Sequence, residues 1–176
     1  MIKKSALILF LCLIVASSVV KAKGRLNPIN NAALVRATDT VPNADVMEVV
    51  RLAIYAANDF NIQAVANLYT PNAVVADDEP PYSWNGPTAG IQWINAVEKA
   101  VKDYHISKFK GTIESVKVYQ QTSENVYVVV PVNYSGNLPD HAHFSARGAF
   151  TFVLRQINDK WLIKSQVWMP EKGIEY

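Results

Sequence analysis

The chain reads as an α+β domain: three helices in its first part, then a strongly curved, mostly antiparallel sheet that the helices cover on its concave face. Two observations carry that expectation. Apolar residues recur at helical spacing up to about Tyr104, then switch to alternation over residues 109–121, 125–134, 142–156 and 161–169. The links between these stretches are short and rich in turn residues: 121–124, Ser135-Gly136-Asn137-Leu138-Pro139 and Asn158-Asp159. Such links make consecutive strands antiparallel neighbours.

Taken in order, the chain begins with the anatomy of a secretory signal peptide over residues 1–22. Lys3 and Lys4 precede an unbroken apolar run over residues 6–16, and Val20-Lys21-Ala22 offers compact residues at a cleavage site. The run is short for a membrane span, a retained anchor being the alternative. Leu11, before Cys12, is bulky where a lipoprotein site takes a small residue, so lipidation is not expected. Cleavage after Ala22 removes the only cysteine and with it any disulfide or thiolate chemistry. It also takes Lys3, Lys4 and Lys21 out of 17 basic residues, leaving 14 against 15 acidic ones, a net of −1. No basic stripe remains, which excludes a nucleic-acid-binding footprint. The expected product is secreted or periplasmic, with no membrane association after cleavage.

Residues 23–44, with Pro28 and Pro42, read as a linker; 45–171 form the domain and 172–176 a tail. Asp45 and Glu48 have capping-box spacing, and Met47, Val50, Ile54 and Ala57 make the stripe of a first helix. Asn58-Asp59-Phe60-Asn61 breaks it. A second helix over 62–69 is ended by Pro71. A short apolar strand over 73–76 then sets Asp77, Asp78 and Glu79 side by side, before a loop carrying Pro80, Pro81, Tyr82 and Trp84. Thr88 is the expected N-cap of the third helix, whose stripe is Ile91, Ile94, Val97, Val101 and Tyr104. In the third alternating stretch Phe144, Ala146, Gly148, Phe150, Phe152 and Leu154 share a face; the small pair Ala146/Gly148 lets the sheet bend or leaves room for a ligand. In the last stretch Trp161, Ile163 and Val167 share one face. Strict alternation puts Trp168 on the other, the outer face, pointing to a homodimer contact.

The order of elements resembles the nuclear transport factor 2-like superfamily, in its SnoaL-like branch. The resemblance covers residues 45–171. It rests on Asn58-Asp59-Phe60, on Leu68-Tyr69-Thr70-Pro71-Asn72-Ala73-Val74-Val75, on Gly86-Pro87-Thr88-Ala89-Gly90 and on Trp161-Leu162-Ile163-Lys164. It implies a cone-shaped α+β barrel with a largely apolar pocket at one end, and frequent dimers through the outer sheet face. Ketosteroid isomerase, polyketide cyclases, dehydratases, epoxide hydrolases and non-catalytic proteins share that fold, so it does not choose among them. Alignment with the isomerase puts Asp77 near its general-base carboxylate. The isomerase's oxyanion hole, a Tyr and a protonated Asp, has no counterpart: Phe152 falls near the acid, and Arg51 or Ala53 near the tyrosine, with Tyr55 offset. Steroid isomerisation is therefore not supported.

Asp77 is either part of a solvated acidic turn or an acid at the mouth of an apolar pocket, where burial and a neighbouring carboxylate would raise its pKa and suit it to proton abstraction. His141 and His143 have a spacing that can hold a metal but lack a third ligand, so no metal is expected. His143 is a candidate acid partner to Asp77 if it points inward. Tyr82, Trp84 and Trp93 flank the acidic loop as candidate ligand walls or as staples of the loop, and Tyr55, Tyr127, Phe150 and Phe152 complete the candidate lining. No nucleotide or zinc-protease motif is present, and no cofactor is expected. Three functions follow: binding of a small, largely apolar molecule; a cofactor-free lyase, isomerase or hydrolase using Asp77; or a protein-interaction module with a filled cone.

Overall fold

The computed structural model describes residues 41–140 and 142–171. The expected leader over 1–22, most of the 23–44 linker, His141 and the 172–176 tail lie outside the described residues. Among the described residues three helices, α1 (Ala44–Tyr55), α2 (Ile62–Val65) and α3 (Ala89–Asp103), accompany seven strands. These are β1 (Tyr69–Ala76), β2 (Ser83–Asn85), β3 (Ser107–Ile113), β4 (Val118–Gln121), β5 (Asn125–Asn137), β6 (His143–Ile157) and β7 (Lys160–Pro170). They form one curved sheet in the order β2-β1-β7-β6-β5-β3, with β4 also on β5. Only β1 and β7 run parallel. The sheet is not closed, so the expected barrel is an open cone.

Several boundaries move for identifiable reasons. Asn43, not Asp45, caps α1: its side-chain oxygen accepts from the N–H groups of Asp45 and Val46 at 2.9 and 3.2 Å. Asn43 in turn donates its own N–H to the Tyr119 hydroxyl at 3.0 Å, tying the start of the domain to β4. The second helix stops at Val65 because the chain from Tyr69 is taken into the sheet, where Tyr69 pairs with Ile163 and Ile163 N–H donates to Leu68 at 2.7 Å. Between Tyr69 and Val74 the β1–β7 register shifts, in the stretch where Pro71 has no N–H to give. The single strand expected over 109–121 is two, β3 and β4, interrupted at residues 114–117.

The alternation of β6 is as expected, with Phe150, Phe152 and Leu154 wholly buried against Val46, Val50 and Ile54 of α1 and Trp93 and Ile94 of α3 in one core. Strand β7 departs from the expected parity. Leu154 pairs with Ile163 and Val153 with Ser165, so Lys164 has no partner and forms a one-residue bulge. One extra residue exchanges the faces of everything after it. Trp161 and Ile163 before the bulge, and Gln166 and Trp168 beyond it, are all buried. Trp168 thus lies inside, its ring 4.9 Å from that of Phe150, and not on the outer face where a dimer contact was expected. A Cβ at Gly148 would stand 2.6 Å from the Trp168 ring, so the room that Gly148 leaves is filled by this indole.

Candidate active site

Strand β1 delivers the acid. Val75 faces the core, and Asp77, two residues on, continues on the same side. A tight turn fixes the strand end: Asp77 N–H donates to the Tyr82 carbonyl at 3.1 Å, and Tyr82 N–H to the Glu79 carbonyl at 2.8 Å. The turn leads into β2, where Trp84 pairs with Val75 and is buried. From α3, Trp93 is only 1% exposed and donates its indole N–H to Asp77 Oδ2 at 2.6 Å. A helix residue and a strand-end residue therefore lock one another at the wall of a cavity of about 1000 Å³.

The remaining wall is mostly aromatic. Phe150 meets Trp93 edge-on at 5.6 Å, while Tyr134 lies flat on Phe109 at 5.3 Å and edge-on to Trp168 at 5.5 Å. Phe144 and Ala146 line the same space. Apart from Asp77, the charged residues lie at the approach. Arg147 forks onto both oxygens of Glu114 at 3.0 Å and reaches Glu171 at 3.3 Å, and Lys99 is bound by Asp103.

Such surroundings move the acid. Burial pushes the Asp77 carboxyl up to about 7, and Asp78 adds to the shift by hydrogen bonding and by charge repulsion. The Trp93 N–H and the Glu79 backbone oppose it without reversing it. Among the described residues, two buried polar atoms on the inner face lack a partner, the Tyr134 hydroxyl and the Gln166 amide nitrogen. Gln166 is held through its oxygen, which accepts from the Tyr69 hydroxyl at 2.6 Å. Burial raises the Tyr134 hydroxyl far above its ordinary value, with the Asp77 charge contributing, so it keeps its proton.

Of the candidate catalytic and ligand-wall residues named from the sequence, Asp77, Trp84, Trp93 and Phe150 line this cavity. The others do not. Phe152 is wholly enclosed in the core two residues further along β6. Tyr82 takes a left-handed backbone, φ 68°, and its ring is exposed. Tyr127 pairs with Val153 on the outer face, and Tyr55 borders a shallow hollow with Arg51 and Asp59. His143, opposite Asn137 at the hairpin end, has the parity opposite to Phe144 and is exposed, so the acid-partner expectation has no geometric support. Among the described residues no group of three or more His, Cys, Asp or Glu side chains is placed to hold a metal ion. Sequence reasoning passed over Tyr134 and Phe109, although the alternation Val130, Val132, Tyr134 marks the tyrosine as inward-facing.

No protein-family model and no curated protein sequence matches the chain. Solved structures match in fold. A ketosteroid isomerase-like protein from Erwinia carotovora atroseptica superposes with TM-score 0.59 at 17% identity, covering 73% of this chain and 95% of that one. A hexachlorocyclohexane dehydrochlorinase, LinA-type3, from Novosphingobium barchaimii gives 0.60 at 14% identity, covering 76% and 92%. A nuclear transport factor 2-like superfamily protein from Salmonella enterica gives 0.57 at 13% identity, covering 73% and 88%. The chain has the nuclear transport factor 2-like fold; at these identities the likeness is one of fold.

Proposed function

We propose that the protein is a cofactor-independent acid–base enzyme, a lyase, isomerase or hydrolase, acting on a small, largely apolar molecule held in the cone, with Asp77 as general base. One observation carries this reading: a carboxyl of raised pKa stands in an aromatic wall, oriented by an indole N–H. A base titrating near 7 is about half ionised at neutral pH and basic enough to take a proton from an activated carbon or from water. Similarity in fold to a dehydrochlorinase and to a ketosteroid isomerase-like protein is consistent with proton abstraction from carbon. Binding alone would gain nothing from an acid buried at a cost in stability. An interaction module with a filled cone fits a cavity of about 1000 Å³ poorly.

The test is turnover on a panel of apolar ketones, alcohols and halides. Asp77→Asn is expected to lower the rate about 10²- to 10⁴-fold on any substrate found, the usual contribution of a positioned base, with the near-ultraviolet circular dichroism unchanged. Undiminished turnover in that variant would rule out the assignment.

Homodimerisation through the outer sheet face is part of the same proposal, without Trp168. Register places Val74, Val129, Val153, Val167 and Met169 on that face, beside Tyr127. Val74, Tyr127 and Met169 are 39%, 40% and 58% exposed. Light scattering at micromolar concentration should give the mass of two chains; a one-chain mass would count against it. The secreted or periplasmic placement rests on the leader sequence alone. No helix among the described residues is long and apolar enough to cross a membrane.

A further inference from the structure

Gln166 is wholly buried, opposite Val75 of β1 and Phe152 of β6, in surroundings that suit an apolar side chain. Its amide nitrogen has no partner among the described residues, and only its oxygen is used, accepting from the Tyr69 hydroxyl at 2.6 Å. Burial holds that hydroxyl far above its ordinary value, so it stays the donor. A half-met polar pair in a dry core is less stable than two apolar residues, so its effect has to be sought in what it holds still. Tyr69 opens β1, the strand that ends at Asp77. Its ring lies against Gly90 in the first turn of α3, where a Cβ would stand 2.0 Å from Cε2 and 2.7 Å from the hydroxyl oxygen. The helix backbone therefore rests on a tyrosine ring whose far end is tied to β7 by Gln166. Trp93 follows Gly90 by three residues on the same helix face, and its N–H is the one that reaches Asp77. Just ahead of the helix, Gly86 N–H donates to the Ala73 carbonyl at 2.9 Å, so β1 carries this end of α3 at two points.

We propose that Tyr69 and Gln166 form a strut that sets the height of α3 above β1 and β7, and are thereby positioning residues that hold the Trp93 N–H on the Asp77 carboxyl. This rests on the reading of Asp77 as general base. Neither residue is among those lining the cavity; they act through Trp93. Because the ring is tied at its far end, it cannot swing away from a Cβ added at Gly90, and the helix has to give instead. Trp93 then moves off Asp77, and the carboxyl loses a contact that holds its pKa down.

The experiment follows the Trp93 indole N–H in proton–nitrogen correlation spectra of the whole isotope-labelled chain, from about pH 4 to about pH 9, the resonance being assigned by its loss in Trp93→Phe. Two variants are compared with the native protein. Gly90→Ala wedges the helix off the ring; Tyr69→Phe combined with Gln166→Leu removes both polar partners and keeps the bulk. Asp78, which also acts on Asp77, is the same in all three. In the native protein the signal should lie downfield and titrate with the carboxyl at about 7. In Gly90→Ala it should move upfield, and its midpoint should climb by about one unit, the worth of a hydrogen bond to a charged group. The paired variant should move both in the same direction and by less. Its urea midpoint should equal or exceed the native one, since replacing both partners by apolar groups is close to neutral. A merely structural pair would do the reverse, losing stability while the indole signal stayed as in the native protein. That result overturns the proposal, as does a native-like signal in both variants. A shift in Gly90→Ala alone overturns it too, since the tie to Gln166 would then have no part. If Gly90→Ala does not fold, the paired variant carries the decision. A native signal that does not titrate in this range removes the oriented base together with the strut. Native titration with undiminished turnover in Asp77→Asn faults the base assignment alone.

Discussion

Asp77→Asn should abolish a fall in stability that the native protein shows between about pH 4 and pH 7. In the unfolded chain this carboxyl titrates at its ordinary value, 3.8; in the folded protein burial holds it at about 7. Below pH 4 both states are protonated and the site imposes no penalty. Between the two values the unfolded chain ionises while the folded protein retains the proton, so the unfolded state binds fewer protons and stability declines as pH rises. Above 7 both states are ionised and the decline ends. Three pKa steps at 1.36 kcal/mol each put the depth on the order of 4 kcal/mol. The sign is opposite to that of ordinary acid denaturation, in which paired carboxylates stabilise as they ionise. Glu114, held low by Arg147, acts in that ordinary direction, but it is exposed and screened. An asparagine keeps an oxygen for the Trp93 N–H and carries no charge at any pH. Urea midpoints for both proteins from pH 4 to 8 decide the matter; a native curve that is flat or rising across this window would show that the carboxyl is not buried as described.

How much of this was written in the sequence depends on which interactions fix each residue. The fold class was legible, because the change from helical to alternating period at Tyr104 needs only local pattern to be seen. Asp77 was left between a solvated turn and a pocket acid, although the alternation through Val75 carries it to the inner side of a strand end. Trp168 was not legible. The bulge at Lys164 carries no glycine or proline to announce it, and it exists because β7 must match β6 on one side and β1 on the other. Tyr127 was ambiguous for a different reason: residues 126–130 are apolar on both faces, so parity cannot choose the inner one. Tyr134 could be placed by its alternation, but its interest lies in a missing partner, which only the neighbours brought by β3, β6 and β7 reveal.

Phe150→Ala is expected to cost about 3–5 kcal/mol, the upper range for truncating a buried aromatic ring. Phe150 sits in the middle of β6, wholly buried, opposite Val130 on one side and Trp168 on the other. Its ring is the common neighbour of Trp93, Tyr134, Phe152 and Trp168, at 5.6, 6.4, 5.7 and 4.9 Å. Those four come from α3, β5, β6 and β7, so no single shift of backbone closes the space left behind. The loss also reaches the acid. Trp93 presents its N–H to Asp77 while its ring rests edge-on against Phe150; without that support the hydrogen bond loosens. Because that bond lowers the Asp77 pKa, its weakening lets burial raise the carboxyl further. The variant should therefore show two linked changes: an earlier urea midpoint, and a stability decline that extends above pH 7. Phe150→Leu, which keeps most of the volume, should lose much less stability. A loss under 1 kcal/mol for Phe150→Ala would mean that the four rings do not share this contact. An unmoved pH profile in a destabilised variant would uncouple Trp93 from the acid it is argued to orient.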